Sequence, residues 1–251
     1  MSSHPPTWFP WAVGAGAGLL GVAVIVIVLL GARQEATRQK EVMCPAMQAA
    51  TNWQDFHPSG YIPSKAKAYK SQLRRAAEYA FGLEAPVALF AGQIHQESHW
   101  NEKAQSPYAG GLAQFTPDTA DWIADIYPQE LEGQAAPYSP KWAIKALVLY
   151  DKYLLEKIEA RTGRCLPRCD HWAMALAAYN GGLSWIKKDR DMAARDGANP
   201  DRWWNQVERY TSRSTAAKKE NRDYPHRILL NHQWLYAKNG WHGTLPCPPA
   251  P

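Results

Sequence analysis

The chain has 251 residues, a formal net charge of +5, and a composition that is 46% hydrophobic and 20% charged. These values exclude a disordered chain and fit one globular domain of about 150–200 residues with appendages. The positive balance suits an anionic polymer or membrane surface, or simply a solvated exterior, and no aromatic or motif pattern points to nucleic acid.

Residues 1–10 form a short flank. The run "WAVGAGAGLLGVAVIVIVLLGA", residues 11–32, is uncharged over 22 positions, and a bilayer core needs about 20 apolar residues as helix. A single N-terminal transmembrane helix is therefore expected. A cleaved signal peptide is the rival reading, kept open by Leu30-Gly31-Ala32. The run exceeds the usual apolar segment of about 7–15 residues and no Lys or Arg precedes it, which favours the anchor. Arg33, Arg38 and Lys40 follow the span, and by themselves would hold the C-terminal part in the cytoplasm.

Residues 33–63 read as a tether interrupted by Pro45, Pro58 and Pro63. From 64 to 240 helical patterns follow one another with almost no strand signal, so the domain is expected to be all-α. The first helix takes Ser64 as cap, lines Tyr69, Leu73, Ala76 and Ala80 on one face, and stops at Gly82. The second begins at Pro86 and runs to about Ser98. Thr116-Pro117 and Ser139-Pro140 open the third and fourth. The fifth runs from Asp170 to Asn180-Gly181-Gly182, and a last one covers roughly 217–238. Residues 241–251 form an irregular Pro-rich tail, pinned by Cys247.

Four cysteines, Cys44, Cys165, Cys169 and Cys247, suit two disulfides in an oxidising compartment, with three connectivities open. Cys165–Cys169 with Cys44–Cys247 is preferred, because the second bridge would staple the ends of the domain. A zinc site at Cys165, Cys169 and His171 lacks a second ligand pair.

The segment "IHQESHW", residues 94–100, looks like a displaced zinc-protease motif. On a helix His95 and His99 lie about 40° apart, but Glu97 sits about 160° from each. A glutamate so placed cannot serve a metal on the histidines, so no metal site is expected and the histidines read as surface or second-layer groups. Glu97 instead ends the apolar stripe of Val87, Phe90 and Ile94. Apolar surroundings and the negative end of the helix dipole both favour its protonated form. Such an acid can protonate a leaving oxygen.

Downstream come Gly111-Leu112-Ala113-Gln114 with Pro117-Asp118-Thr119, then Ala178-Tyr179-Asn180, then "ENRDYPHRIL" at 220–229. Together with Glu97-Ser98 this ordered set resembles the catalytic domain of the soluble lytic transglycosylase (SLT) family, relatives of goose-type lysozyme, over about residues 65–235. The departures are Ala113 for the usual methionine, Tyr108 for a common glycine, and Asn221 for a common threonine. The resemblance implies a lysozyme-like helical fold and cleavage of the β-1,4 bond between N-acetylmuramic acid and N-acetylglucosamine in peptidoglycan, without cofactor. It implies Glu97 as acid and then base, while the muramoyl C6 hydroxyl attacks C1 to give a 1,6-anhydro end. Gln114, Asn180 and Ser106 would hydrogen-bond sugars and acetamido groups, Ser98 belongs to the same candidate set, and Tyr179 and Tyr224 would hold Glu97 or line the cleft. Of the 12 tryptophans, Trp122, Trp142 and Trp172 read as core, and Trp100 and Trp185 as cleft walls.

Peptidoglycan lies outside the cytoplasmic membrane, and paired cysteines favour the same side. The expectation is therefore a single-pass protein with its catalytic domain in the periplasm, against the local charge bias, or one carried on a virion membrane. Its partners would be peptidoglycan, the membrane through residues 11–32, and a phage virion or a secretion or conjugation apparatus. A water-using muramidase and a murein-binding assembly scaffold are the alternatives.

Overall fold

The computed structural model describes residues 58–162 and 165–247. The expected membrane anchor at 11–32, most of the tether and Cys44 lie outside the described residues. Among the described residues no helix is long and apolar enough to cross a membrane.

Among the described residues there are eight α-helices: α1 (Ala66–Phe81), α2 (Val87–Ser98), α3 (Pro117–Ile126), α4 (Pro140–Lys157), α5 (Arg168–Gly181), α6 (Leu183–Arg195), α7 (Thr215–Arg227) and α8 (Gln233–Lys238). The described part is all-α. Its only strand-like pairings are isolated antiparallel bridges, Gln105 with Gly110 and Gly110 with Phe115, which fold the loop after α2 onto itself.

The apolar spacing explains the packing. Leu73 and Ala77 of α1 are buried, and α1 lies against α2 and α4. Every residue from Val87 to His95 is buried, so α2 runs through the core rather than along its surface. It packs against α1, α8 and the turn before α8. Helix α5 is buried from Trp172 to Ala178 and touches α4, α6 and α7. The Thr116 hydroxyl caps α3 by accepting from Thr119 N at 3.3 Å. Ser139 makes no such side-chain cap, and α1 begins beyond Ser64.

Two expectations are corrected in the last third of the domain. The region 217–238 is not one helix. Pro225 sits inside α7, removes a backbone donor, and is followed by a wide π-type turn at Ile228–His232 before α8. Helix α6 was not expected. Its buried positions include Asp189 and Arg190, which hide an inward face behind charge. Arg190 pairs with Asp201 at 2.6 Å with both side chains 3% exposed, and Asp189 pairs with Arg222 at 2.7 Å.

The expected cysteine pairing is also corrected. Cys169 is bonded to Cys247, joining the start of α5 to the tail, and Cys165 is itself disulfide-bonded. Cys247 is 2% exposed, and the tail is also held inward at Trp241, which is 3% exposed. Its ring lies 5.5 Å from Trp100 and 5.1 Å from Tyr236. With both sulfurs in disulfides, Cys165 and Cys169 offer no thiolate to a metal.

Candidate active site

Glu97 is the penultimate residue of α2, half-buried at the end of the stripe that includes the fully buried Phe90 and Ile94. Burial lifts its carboxyl to about pKa 8. The Tyr224 hydroxyl pulls the other way, and the charge of Glu220 adds to the rise. The group is thus a protonated acid at neutral pH.

Tyr224, 4% exposed on α7, donates its hydroxyl to Oε1 of Glu97. Its ring stacks on that of Tyr179 at 6.3 Å with 7° between the planes. Tyr179, near the end of α5, donates its own hydroxyl to the Ala113 carbonyl at 2.8 Å. Burial pushes both phenols well above their ordinary range, so both remain donors. Two aromatic residues thereby connect the acid to the Gly-Leu-Ala-Gln loop.

That loop is held from within. Gln114 adopts φ 49°, and its Nε2 donates to Gly111 O at 2.9 Å and Ala104 O at 3.2 Å. Gly111 has φ 76°, and a Cβ there would lie 1.8 Å from the Pro137 carbonyl oxygen. Only glycine allows the loop to press this closely against 137–138. Beside it opens a cavity of about 340 Å³ lined by Ser106, Tyr108, Gly110, Phe115 and Tyr138 among others. Ser106 is exposed, and its Oγ accepts from Ala109 N at 3.0 Å, closing the turn.

Asn180 accepts at Oδ1 from Asn221 Nδ2 at 3.1 Å, and the same amide donates to Ala177 O at 2.7 Å. Asn221, which the sequence showed only as a departure from a pattern, thus closes the end of α5 beside the site. Ser98 is buried and its hydroxyl turns back to Ile94 O at 3.3 Å. Glu97, Tyr224, Tyr179 and the 113–114 loop are therefore brought into one connected cluster, with Asn180 next to it. Ser98 faces its own helix, and Ser106 sits in the outer turn.

One neighbour differs from expectation. Trp100 is no cleft wall: it is 0% exposed, and its Nε1 donates to Tyr236 Oη at 2.5 Å. His99 and Trp100 have φ 51° and 62°, and this left-handed pair turns the chain inward two residues after the candidate acid. Of the histidines read as surface or second-layer groups, His99 is exposed and the second-layer one is His95. It is 5% exposed, stacks on His232 at 4.5 Å, and its Nδ1 lies 3.1 Å from the Tyr236 hydroxyl. No group of three or more potential metal ligands forms among the described residues.

A second carboxyl went unnoticed in the sequence. Asp151 of α4 is fully buried and accepts from Gln93 Nε2 at 3.4 Å. Burial drives it well above the carboxylate range, and an ionised Glu97 would drive it further. The available signal was an aspartate within the apolar run "ALVLYDKYLL".

The family model for the transglycosylase SLT domain matches residues 72–201. Similar proteins include membrane-bound lytic murein transglycosylase F of Vibrio vulnificus, 32% identical over 130 residues, 51% of this chain and 22% of that one. The protein of that name from Alteromonas mediterranea is 33% identical over 137 residues, 54% of this chain and 26% of its own. The Shewanella pealeana protein is 29% identical over 143 residues, 57% and 26% of the two chains. The match thus spans about a quarter of the length of these curated relatives. With the matched segment running from α1 past α6 and including Glu97, Gln114, Tyr179 and Asn180, the chain belongs to the transglycosylase SLT domain family.

Proposed function

We propose that the protein is a peptidoglycan lytic transglycosylase in which Glu97 acts alone as acid and then base. The observation that carries this reading is the state of Glu97: a carboxyl kept protonated by burial, with one oxygen fixed by Tyr224. The related murein transglycosylases point to the same chemistry.

Glu97 would donate its proton to the glycosidic oxygen between N-acetylmuramic acid and N-acetylglucosamine. The resulting carboxylate is steadied by the Tyr224 hydroxyl, since a hydrogen bond to a charged acceptor is stronger than one to a neutral acid. Glu97 then takes the proton of the muramoyl C6 hydroxyl as that oxygen attacks C1. The product is a 1,6-anhydro end, and Glu97 is protonated again. The nucleophile belongs to the substrate, so proximity replaces a second carboxylate. Asp151 is fully buried and cannot reach the glycan. Gln114, Asn180 and Ser106 would contact sugars, with the cavity beside Ser106 as part of the binding surface.

One observation favours the muramidase alternative. Glu220 lies one helical turn before Tyr224, and its charge reaches Glu97. It is the group that would activate water in a two-carboxylate hydrolysis.

Residues 11–32 would anchor the protein, and the name "membrane-bound" of the relatives supports that placement. The domain would then work on the periplasmic side, or from a virion membrane, for phage entry or lysis or for local opening of murein by a secretion or conjugation machine. Incubating the full chain with a murein suspension tests the activity: clearing is expected, with Glu97→Gln binding but not clearing. Absence of clearing by the wild type would leave the assembly-scaffold reading. Reporter fusions after residue 60 test the topology, and activity of a cytoplasm-only reporter alone would overturn it.

A further inference from the structure

Resting on that reading of the site, we infer that Arg213 and Lys188 form a carboxylate-binding site beside Asn180, which takes the peptide carboxylates borne by a murein strand. The guanidinium carbon of Arg213 lies 4.9 Å from the centroid of the Trp185 ring. Nζ of Lys188 lies 4.7 Å from the same centroid. One indole at the start of α6 therefore gathers two cations.

Neither cation is in an ion pair with a carboxylate among the described residues. Asp189 attracts Arg213 through its field, but its Oδ2 is held by Arg222 at 2.7 Å. The positive charge gathered at this indole favours an incoming anion.

The location ties this pair to the candidate cleft. Arg213 Nη2 donates to the Gly181 carbonyl at 3.1 Å, one residue beyond Asn180. A Cβ on Gly181 would lie 2.3 Å from Arg213 Nη1 and 2.6 Å from Asn221 Nδ2. Glycine at 181 lets both groups close onto the end of α5, where Asn180 sits. The Arg213 fork offers planar, charge-assisted bonds suited to a carboxylate, and Lys188 adds a mobile point charge.

N-acetylglucosamine carries no charge, and murein presents its carboxylates mainly on the peptides attached to muramic acid. The site therefore selects strands whose peptides bear free carboxylates over strands whose peptide carboxylates are neutral amides.

The test uses the full chain and two substrates: intact murein, and the same murein with its peptide carboxylates converted to neutral amides, which leaves the lactyl amides intact. The readout is the ratio of kcat/KM on the two. Loss of one charge-assisted contact predicts a fall in that ratio of about five- to tenfold, mainly through KM, in Arg213→Gln and in Lys188→Gln. Lys188 is exposed, so its variant does not put folding at risk, and Arg213→Lys should restore part of the ratio. Equal losses on both substrates, or a wild-type ratio in both glutamine variants, would overturn the proposal. If the wild type cleaves neither substrate, the proposed activity fails. Co-sedimentation with the same two polymers then reads the carboxylate site by itself: equal binding of wild type and variants to intact murein overturns it.

Discussion

Tyr224 donates its hydroxyl to Oε1 of Glu97, joining α7 to the end of α2 across 127 residues of sequence. The bond favours the ionised carboxyl and so works against the burial that lifts Glu97 to about pKa 8. Tyr224→Phe removes it. The alkaline limb of the pH–rate profile should then move up by about one pH unit, because a hydrogen bond to a charged group is worth about 1.5–3 kcal/mol. Turnover should fall about tenfold as the acid loses its orientation. An unmoved limb would show that the bond does not tune the acid.

Glu97 also marks the stability of the domain. Its folded pKa of about 8 lies above the ordinary 4.5, so the folded state holds the proton more tightly than the unfolded chain. Its contribution is full below about pH 4.5 and is lost as pH rises through about 8. Glu97→Gln should therefore lack this decline, gaining about 2–4 kcal/mol over the wild type at pH 9 and almost nothing at pH 4. Denaturant titrations at the two pH values measure the difference. The same change should lower turnover by at least about a thousandfold.

The histidine pair has the opposite sign. Burial holds His95 and His232 at about pKa 4, below the ordinary value, so the folded state disfavours their protonation. Their contribution is complete above about pH 6.5 and is lost as pH falls through about 4. Melting temperature should drop across that window, and His232→Phe should flatten the drop while keeping a ring against His95. An equally steep drop in the variant would place the acid sensitivity elsewhere.

The Cys169–Cys247 bridge closes a sequence separation of 78 residues. Cys247→Ala should cost about 2–4 kcal/mol through the freedom returned to the unfolded chain. Chemical denaturation of both proteins under oxidising conditions checks this.

The elements that could be read from sequence are those in which one local rule acts without opposition. Thr116-Pro117 starts α3, and the apolar spacing of Leu73 and its neighbours marks α1. Helix periodicity also separated Glu97 from His95 and His99. What could not be read depended on distant partners. Asp189 and Arg190 look like surface residues until Arg222 and Asp201 arrive to neutralise them, so α6 was missed. Trp100 looks like a free aromatic because nothing local announces the left-handed turn at His99 and Trp100. The disulfide depends on where the tail docks, which the spacing of cysteines does not encode. In the site, Glu97 had a local signature, whereas Tyr224 and Tyr179 were found by their motifs and Asp151 by neither route.

The most direct test of the central claim is the mass of the products that the full chain releases from defined murein. A lone Glu97 with an internal nucleophile predicts muropeptides ending in 1,6-anhydromuramic acid, lighter by one water than the hydrolysis products. They should vanish in Glu97→Gln and persist in Glu220→Gln. Reducing ends that disappear in Glu220→Gln would contradict the account and establish a two-carboxylate hydrolase.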